Sequence, residues 1–424
     1  MAGAELPERI SLKYSVIAIA GLLQVVTSSA EPVFFVPESV VPAHTVIVIL
    51  ENKSASDVYS NKHMPFLNSL AARGAVMTNA TFGQTPYGRT PHGYQGPLPT
   101  RPSQPNYLML FSGNNQNVKP EYFENTEASG TYPYLGMASN ASNGDLLEAA
   151  KLNVKVGIGN RPIPKDMLPL ITPNLGSALR DAGKTFASFS ESLPYPSFEA
   201  EAFDSGHGLY KRKHNPVINW IAIGNKNINS ADTRHLVALE SNLGFEPTID
   251  SATGKSYRGF TNDASGRPIG FEQLPTVSLV IPNQDNDAHD GSLVQADKWL
   301  LKNIKPYADW AMTHHSLLII TFDEDGSTKA AMGGAKKAGI DNIATLFFGP
   351  MVKPGRYGEP VDHLNVLGTL LLLHADISAF TREYGTAYPN DSAEFEAANI
   401  RPIRDIFGIG PALNPVEVVS TNGK

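Results

Sequence analysis

Three apolar runs in this chain each end in groups that bind cations. The run "TVIVIL" at 45–50 leads straight into Glu51 and Asn52, and "SLLIITF" at 316–322 into Asp323, Glu324 and Asp325. The third, "TVSLVIP" at 276–282, opens into "NQDNDAHDG", which carries Asp285, Asp287 and His289. Uninterrupted runs of this kind read as strands buried on both faces, where an acid is excluded. Taken singly, each acid marks only the point where a strand leaves the interior. Three such exits at equivalent ends of a parallel sheet would converge, at the place where α/β folds collect ligands and catalytic groups.

Carboxylates gathered there repel one another and raise each other's pKa unless a cation lies between them. A metal site is therefore the economical reading. Carboxylate, amide oxygen and imidazole suit a divalent ion of hard to borderline character such as Mg, Ca, Mn, Zn or Fe, and the absence of cysteine removes thiolate sites. Asp285 and Asp287 stand four and two residues before His289, so either could share an ion with that imidazole. His363, opening "HLNVLGTL", is a further imidazole, with a capping or buried hydrogen-bonded histidine as its alternative.

Hydrolysis at such a centre also needs a nucleophile, and "RPSQPNYLMLFSG" at 101–113 offers Ser103. By itself Ser103 reads as a helix N-cap followed by proline in the first turn. The two roles are compatible, because a helix N-terminus presents free amides and positive dipole to an anionic group.

The elements that must position these groups alternate along the chain. "NKHMPFLNSLAARG" reads as a helix stopping at Gly74. "TPNLGSALRDAGKTFASFS" reads as a helix capped by Thr172, stopped at Gly183 and followed by a strand from Thr185. Strand, helix, strand, strand and helix follow in "PTVSLVIPN", "GSLVQADKWLLKNI", "SLLIITFDEDG", "NIATLFFGP" and "HLNVLGTLLLLH". This βαβα alternation predicts an α/β fold with a central, mostly parallel sheet covered on both faces. The polar stretch at about 225–273 reads as a peripheral insertion, and the proline-rich stretch at 85–102 as an irregular loop.

Composition bounds the function. With 42% hydrophobic and 18% charged residues the 424-residue chain is globular, and its net charge of −7 supplies no field for nucleic acid. Arg9 and Lys13, the apolar run "YSVIAIAGLLQVV" and the small residues "TSSA" predict a cleaved export signal at 1–30. Residues 31–424 are then a single domain, secreted or periplasmic. No other run is long enough to span a membrane.

The ordered segments "VIVILENKSASDVY", "RPSQPNYLMLFSG", "KRKHNP", "NDAHDGSLVQADKWL", "LIITFDEDG" and "LFFGPMVKPGRY" with "DHLNVLGTL" resemble the phosphoesterase family of acid phosphatases and bacterial phospholipases C. The form "SQPNY" is closer to the acid phosphatase branch. The resemblance implies a three-layer α/β sandwich like that of alkaline phosphatase and a phosphoserine route to hydrolysis of phosphate monoesters. It places the metal on Glu51, Asn52, Ser103, Asp323 and Glu324, and catalytic roles on Ser103, His214, His289 and Asp287. Asn106 and His363 are the substrate contacts it suggests, and the Arg101 guanidinium, by its own fork geometry, is a further one for a phosphate oxygen. Arg101 stands where relatives carry histidine, and "DEDGS" shortens a longer acidic run. Phospholipid headgroups are further candidate substrates. A phosphodiesterase such as a phospholipase C, or a non-catalytic envelope protein keeping the fold, are the competing readings.

Overall fold

All six residues of β1 (Thr45–Leu50) are buried, as a strand covered on both faces requires, and the sheet is built outward from it. The computed structural model describes residues 36–82, 84–89, 95–99, 103–114, 116, 168–203, 208–223, 230–326, 342–387 and 400–409. All of these fall within the unit Phe35–Pro411.

The other strands of the sheet are β2 (Ala75–Met77), β3 (Phe186–Ser190), β4 (Asn242–Gly244), β5 (Val277–Ile281), β6 (Leu317–Phe322), β7 (Thr345–Phe348) and β8 (Gly355–Tyr357). Their spatial order is β8-β2-β7-β6-β1-β5-β3-β4. β1 pairs in parallel with β5 and β6, β5 with β3, and β3 with β4, whereas β7 is antiparallel to both β6 and β2. Because β2 and β8 are parallel to each other, β7 is the one reversed strand of the eight.

Two groups of packed helices flank the sheet. One holds α2 (Ser103–Ser112), α3 (Leu175–Asp181) and α6 (His363–His374), and the other α1 (Pro65–Ala71), α4 (Leu293–Asn303) and α5 (Lys305–Ala311). Every residue of α2 and α6 is buried, the mark of helices inside a large core rather than on its surface. The expected α/β sandwich with a mostly parallel sheet is what forms.

Three local expectations change. The proline-rich stretch is not irregular throughout, since Gln84–Arg89 pairs antiparallel with Gln95–Pro99 across a register shift between Thr85 and Gly88. A two-stranded ribbon tolerates prolines because each strand has an unpaired edge. α3 is capped by Asn174 rather than Thr172: the Asn174 side chain accepts from the Ser177 amide at 2.9 Å. Finally, the polar stretch after 225 contributes β4 to the sheet edge. Phe245 and Phe260 stack with centroids 5.2 Å apart, and Phe260 meets Phe189 of β3 edge-on at 5.3 Å, so a few aromatics fasten a segment too polar to form a core alone.

Candidate functional site

The three strand exits meet because β6, β1 and β5 are neighbours with the same direction. Glu51, fully buried, donates its amide to the Asp287 carbonyl at 2.8 Å, which ties the β1 exit to the loop after β5. On the other side the Asn52 amide donates to Asp323 Oδ1 at 2.9 Å. Asn52 turns the chain there with φ of 48°, a left-handed conformation that asparagine accepts more readily than most residues. Asn52 Oδ1, Asp287 Oδ2 and Asp323 Oδ2 are buried with no hydrogen-bond partner among the described residues.

α2 delivers its first turn to this cluster. The Ser103 hydroxyl donates to Glu51 Oε2 at 2.9 Å, Asn106 Nδ2 donates to Glu324 Oε2 at 3.3 Å, and the Tyr107 hydroxyl donates to Glu51 Oε1. Spacings of three and four put these residues on one helix face. The helix ends at Gly113, whose φ of 75° is the left-handed close that glycine allows.

His214 enters from a short 3-10 turn, Arg212–His214, and stacks on Tyr107 with ring centroids 5.3 Å apart. Its Nε2 lies 3.4 Å from Glu51 Oε2 and its Nδ1 3.9 Å from Asp287 Oδ2, with Gln284 Nε2 3.5 Å from the same Nδ1. Glu51, His214 and Asp287 each offer a ligand atom within 4.8 Å of the others.

The remaining expected residues divide. His363, first in α6, donates Nε2–H to the Asp323 carbonyl at 2.7 Å, so it supports the β6 exit from behind. His289 lies at the rim, its side chain 31% exposed and its Nδ1 2.7 Å from Asp290 Oδ1; its amide donates to Asp287 Oδ1 at 2.7 Å. Glu324 and Asp325 are buried. Arg101 lies outside the described residues.

Burial, then the Asp323 and Asp287 charges, push the Glu51 carboxyl well above the usual carboxylate range, and burial does the same to Asp287; Lys213 opposes both shifts. Burial holds His214 well below the usual histidine range and lowers His363. Buried acids that cannot ionise comfortably, unpartnered oxygens aimed into the cluster and a neutral imidazole form a donor set that fits a divalent cation, whose charge would reverse the carboxylate shifts.

Sequence reasoning does not single out Tyr107, Gln284 or Lys213. Tyr107 is within its reach, standing four residues after Ser103 and so on its helix face. Gln284 acquires a role only when its loop closes on His214, and Lys213 only when the turn it shares with His214 closes on the Glu51 and Asp287 carboxylates.

A family model described as the phosphoesterase family matches residues 253–374. A phosphatidylinositol-3-phosphatase of Mycobacterium tuberculosis is 34% identical over 372 residues, covering 86% of this chain and 83% of that protein. A probable acid phosphatase of Kluyveromyces lactis is 27% identical over 232 residues, 53% of this chain and 38% of that protein. Among solved structures, a phosphonate monoester hydrolase from Silicibacter pomeroyi aligns with 11% identity and a TM-score of 0.38, covering 78% of this chain and 73% of that one.

Proposed function

The chain belongs to the phosphoesterase family, and from that premise we propose that it is a metal-dependent phosphomonoesterase of acid phosphatase type with Ser103 as nucleophile. The observation that carries this reading is the Ser103 hydroxyl, at the N-terminus of a buried helix, 2.9 Å from Glu51 Oε2 in a cluster where Asp287 and Asp323 each keep an oxygen with no partner among the described residues. Glu51, Asn52, Ser103, Asp323 and Glu324 would hold the ion, with Asp287 and His214 beside them at Glu51. When bound, such an ion lowers the hydroxyl pKa and offsets charge on the transferring phosphoryl group.

The chain's own groups do the rest. Ser103 Oγ closes on phosphorus as its proton passes to Glu51 Oε2, and the ester oxygen leaves to give phosphoserine, which water then hydrolyses. The α2 N-terminus presents amides and positive dipole to the phosphoryl oxygens, and Asn106, one turn on, is placed to contact one of them. Tyr107 and His214 orient Glu51. His289, at the rim, donates a proton to the leaving oxygen. Burial lowers its pKa from the usual 6.5, which favours activity on the acid side.

The family and the phosphoinositide phosphatase relative support phosphate monoesters, inositol headgroups among them, as substrates. Selectivity for the alcohol then rests on the loops around the mouth, and a broad range is expected. Residues 1–30 lie outside the described residues; a cleaved export signal there predicts a mature protein beginning near Glu31, followed by one phosphoesterase domain to residue 424. N-terminal sequencing from the native host checks this, and an intact Met1 would refute it. No helix among the described residues is long and apolar enough to cross a membrane.

The test is turnover of p-nitrophenyl phosphate, bis-p-nitrophenyl phosphate, sugar phosphates, nucleotides and phosphoinositides, with and without chelator. Monoester turnover abolished by chelator, and acid-quenched phosphate on the peptide carrying Ser103, are the expected results. Faster cleavage of the diester would favour the phosphodiesterase reading. A preference above about a hundredfold for one monoester class, or about 2.7 kcal/mol, would refute broad specificity.

A further inference from the structure

Glu191 follows β3 directly and donates its amide to the Ile281 carbonyl at 2.8 Å, which sets it beside the exit of β5. Among the described residues its carboxylate takes hydrogen bonds on both oxygens. Oε2 accepts from the Asn283 amide at 2.9 Å and from Asn286 Nδ2 at 3.0 Å, while Oε1 accepts from the same Nδ2 at 3.0 Å and from Trp299 Nε1 at 3.0 Å. The Asn283 side chain is held in turn by Ser192 Oγ at 3.1 Å.

These groups bracket the turn that supplies the β5 side of the site. Within it the Asp287 amide returns to the Asn283 carbonyl at 2.8 Å, so anchoring Asn283 and Asn286 sets where Asp287 and Gln284 stand. We propose that Glu191 is a positioning residue for the cation cluster, holding the 283–287 turn so that the Asp287 carboxylate and Gln284 face Glu51 and His214. The role rests on the cation reading of the site given above. Only a full-length carboxylate fits it. Glutamine would turn an amide N–H toward one of the donors, and aspartate would fall one methylene short of them.

The test is calorimetric binding of Mn²⁺ to chelator-stripped full-length protein, for wild type, Glu191→Gln, Glu191→Asp and Asn68→Ala. The last variant removes a remote clasp in which Asn68 Oδ1 accepts from the Ser60 amide and Nδ2 donates to the Met64 carbonyl, both at 2.8 Å. It measures what lost stability alone does to the affinity. The expected result is a dissociation constant raised about tenfold or more in both Glu191 variants, with Asn68→Ala unchanged at a comparable fall in Tm. A weakened Glu191→Gln beside a normal Glu191→Asp would make the effect one of charge and overturn positioning. Unchanged affinity in both would leave Glu191 a purely structural clasp and also overturn it. Wild-type protein that bound no Mn²⁺ would overturn the cation reading itself, a result distinct from either.

Discussion

Two buried acid sites in this protein are built in opposite ways. Asp297 on α4 is 3% exposed, and its two oxygens accept from the Phe66 and Leu67 amides at 3.0 and 2.9 Å. Those amides open α1, whose own N-cap, Met64, supplies no side-chain hydrogen bond. The Asp297 carboxylate therefore completes a helix end and meets its positive dipole. Around Glu51 the acids instead face one another, and Asp287 and Asp323 each keep an oxygen with no partner among the described residues. A buried acid with its acceptors filled stabilises the fold, whereas one left unpaired costs stability and persists where another requirement maintains it.

The largest effect expected from this contrast is on turnover. Ser103→Ala should lower kcat by about 10⁶-fold, the order seen when a serine nucleophile is removed from an otherwise intact site. Its Tm should stay within a few degrees of wild type. Residual activity within tenfold would show that another hydroxyl or a water attacks phosphorus.

Much of the contrast is legible in the amino-acid order alone. The strand exits at Glu51, Asp287 and Asp323 are legible because burial on both faces writes an apolar run and a parallel sheet sends its ends one way. Ser103 is legible from its helix start. The reversal of β7 is not, because a four-residue buried strand reads the same in either direction. β4 is hidden because three residues in a polar stretch carry no period, and its anchors, Phe245 and Phe260, are aromatics whose partners lie far away in sequence. Asp297 is invisible as a cap, since it serves a helix some 230 residues away. Local pattern records what a strand or helix needs for itself and omits what distant segments supply.

The next effect concerns a buried base, and it separates fold stability from the site. His374, at the end of α6, shares a hydrogen bond with Thr45 Oγ1 at 2.8 Å, and burial lowers its pKa from 6.5 to about 3. The unfolded chain takes up a proton below 6.5 that the folded one refuses until about pH 3, so stability falls as pH drops through that window. The contribution is about 3 kcal/mol by pH 4. Urea unfolding at pH 7 and pH 4 should show wild type losing about that much more than His374→Gln. Equal losses would mean that His374 is charged in the folded protein.

Asp297→Ala should cost about 2 kcal/mol, combining a lost helix cap with two unsatisfied amides. Its kcat/KM should remain within about twofold of wild type, because the clasp lies apart from the cluster. Denaturant unfolding checks the first number and the monoester assay the second. A large loss of activity at unchanged stability would erase the distinction between the two acid sites.

The smallest effect is the sharpest, because its sign is opposite. Burial and neighbouring charges raise the Asp287 carboxyl well above its usual 3.8. In the unfolded chain this group ionises above 3.8, while the cation-free folded chain resists ionisation, so the group subtracts stability as pH rises past that value. Asparagine keeps the acceptor for the His289 amide and places an N–H where Asp287 Oδ2 had no partner, toward His214 Nδ1. Chelator-treated Asp287→Asn should therefore be more stable than chelator-treated wild type by about 1 kcal/mol at neutral pH. The advantage should shrink toward pH 4, as the carboxyl of the unfolded wild-type chain also takes up its proton. Adding Mn²⁺ should reverse the ranking, because a ligand at 100 times its dissociation constant stabilises the wild type by about 2.7 kcal/mol and the variant binds less tightly. Thermal shifts with and without Mn²⁺, at pH 4 and pH 7, read out all four states. If Asp287→Asn were instead the less stable protein without cation, the cluster would be a satisfied structural network like the one at Asp297.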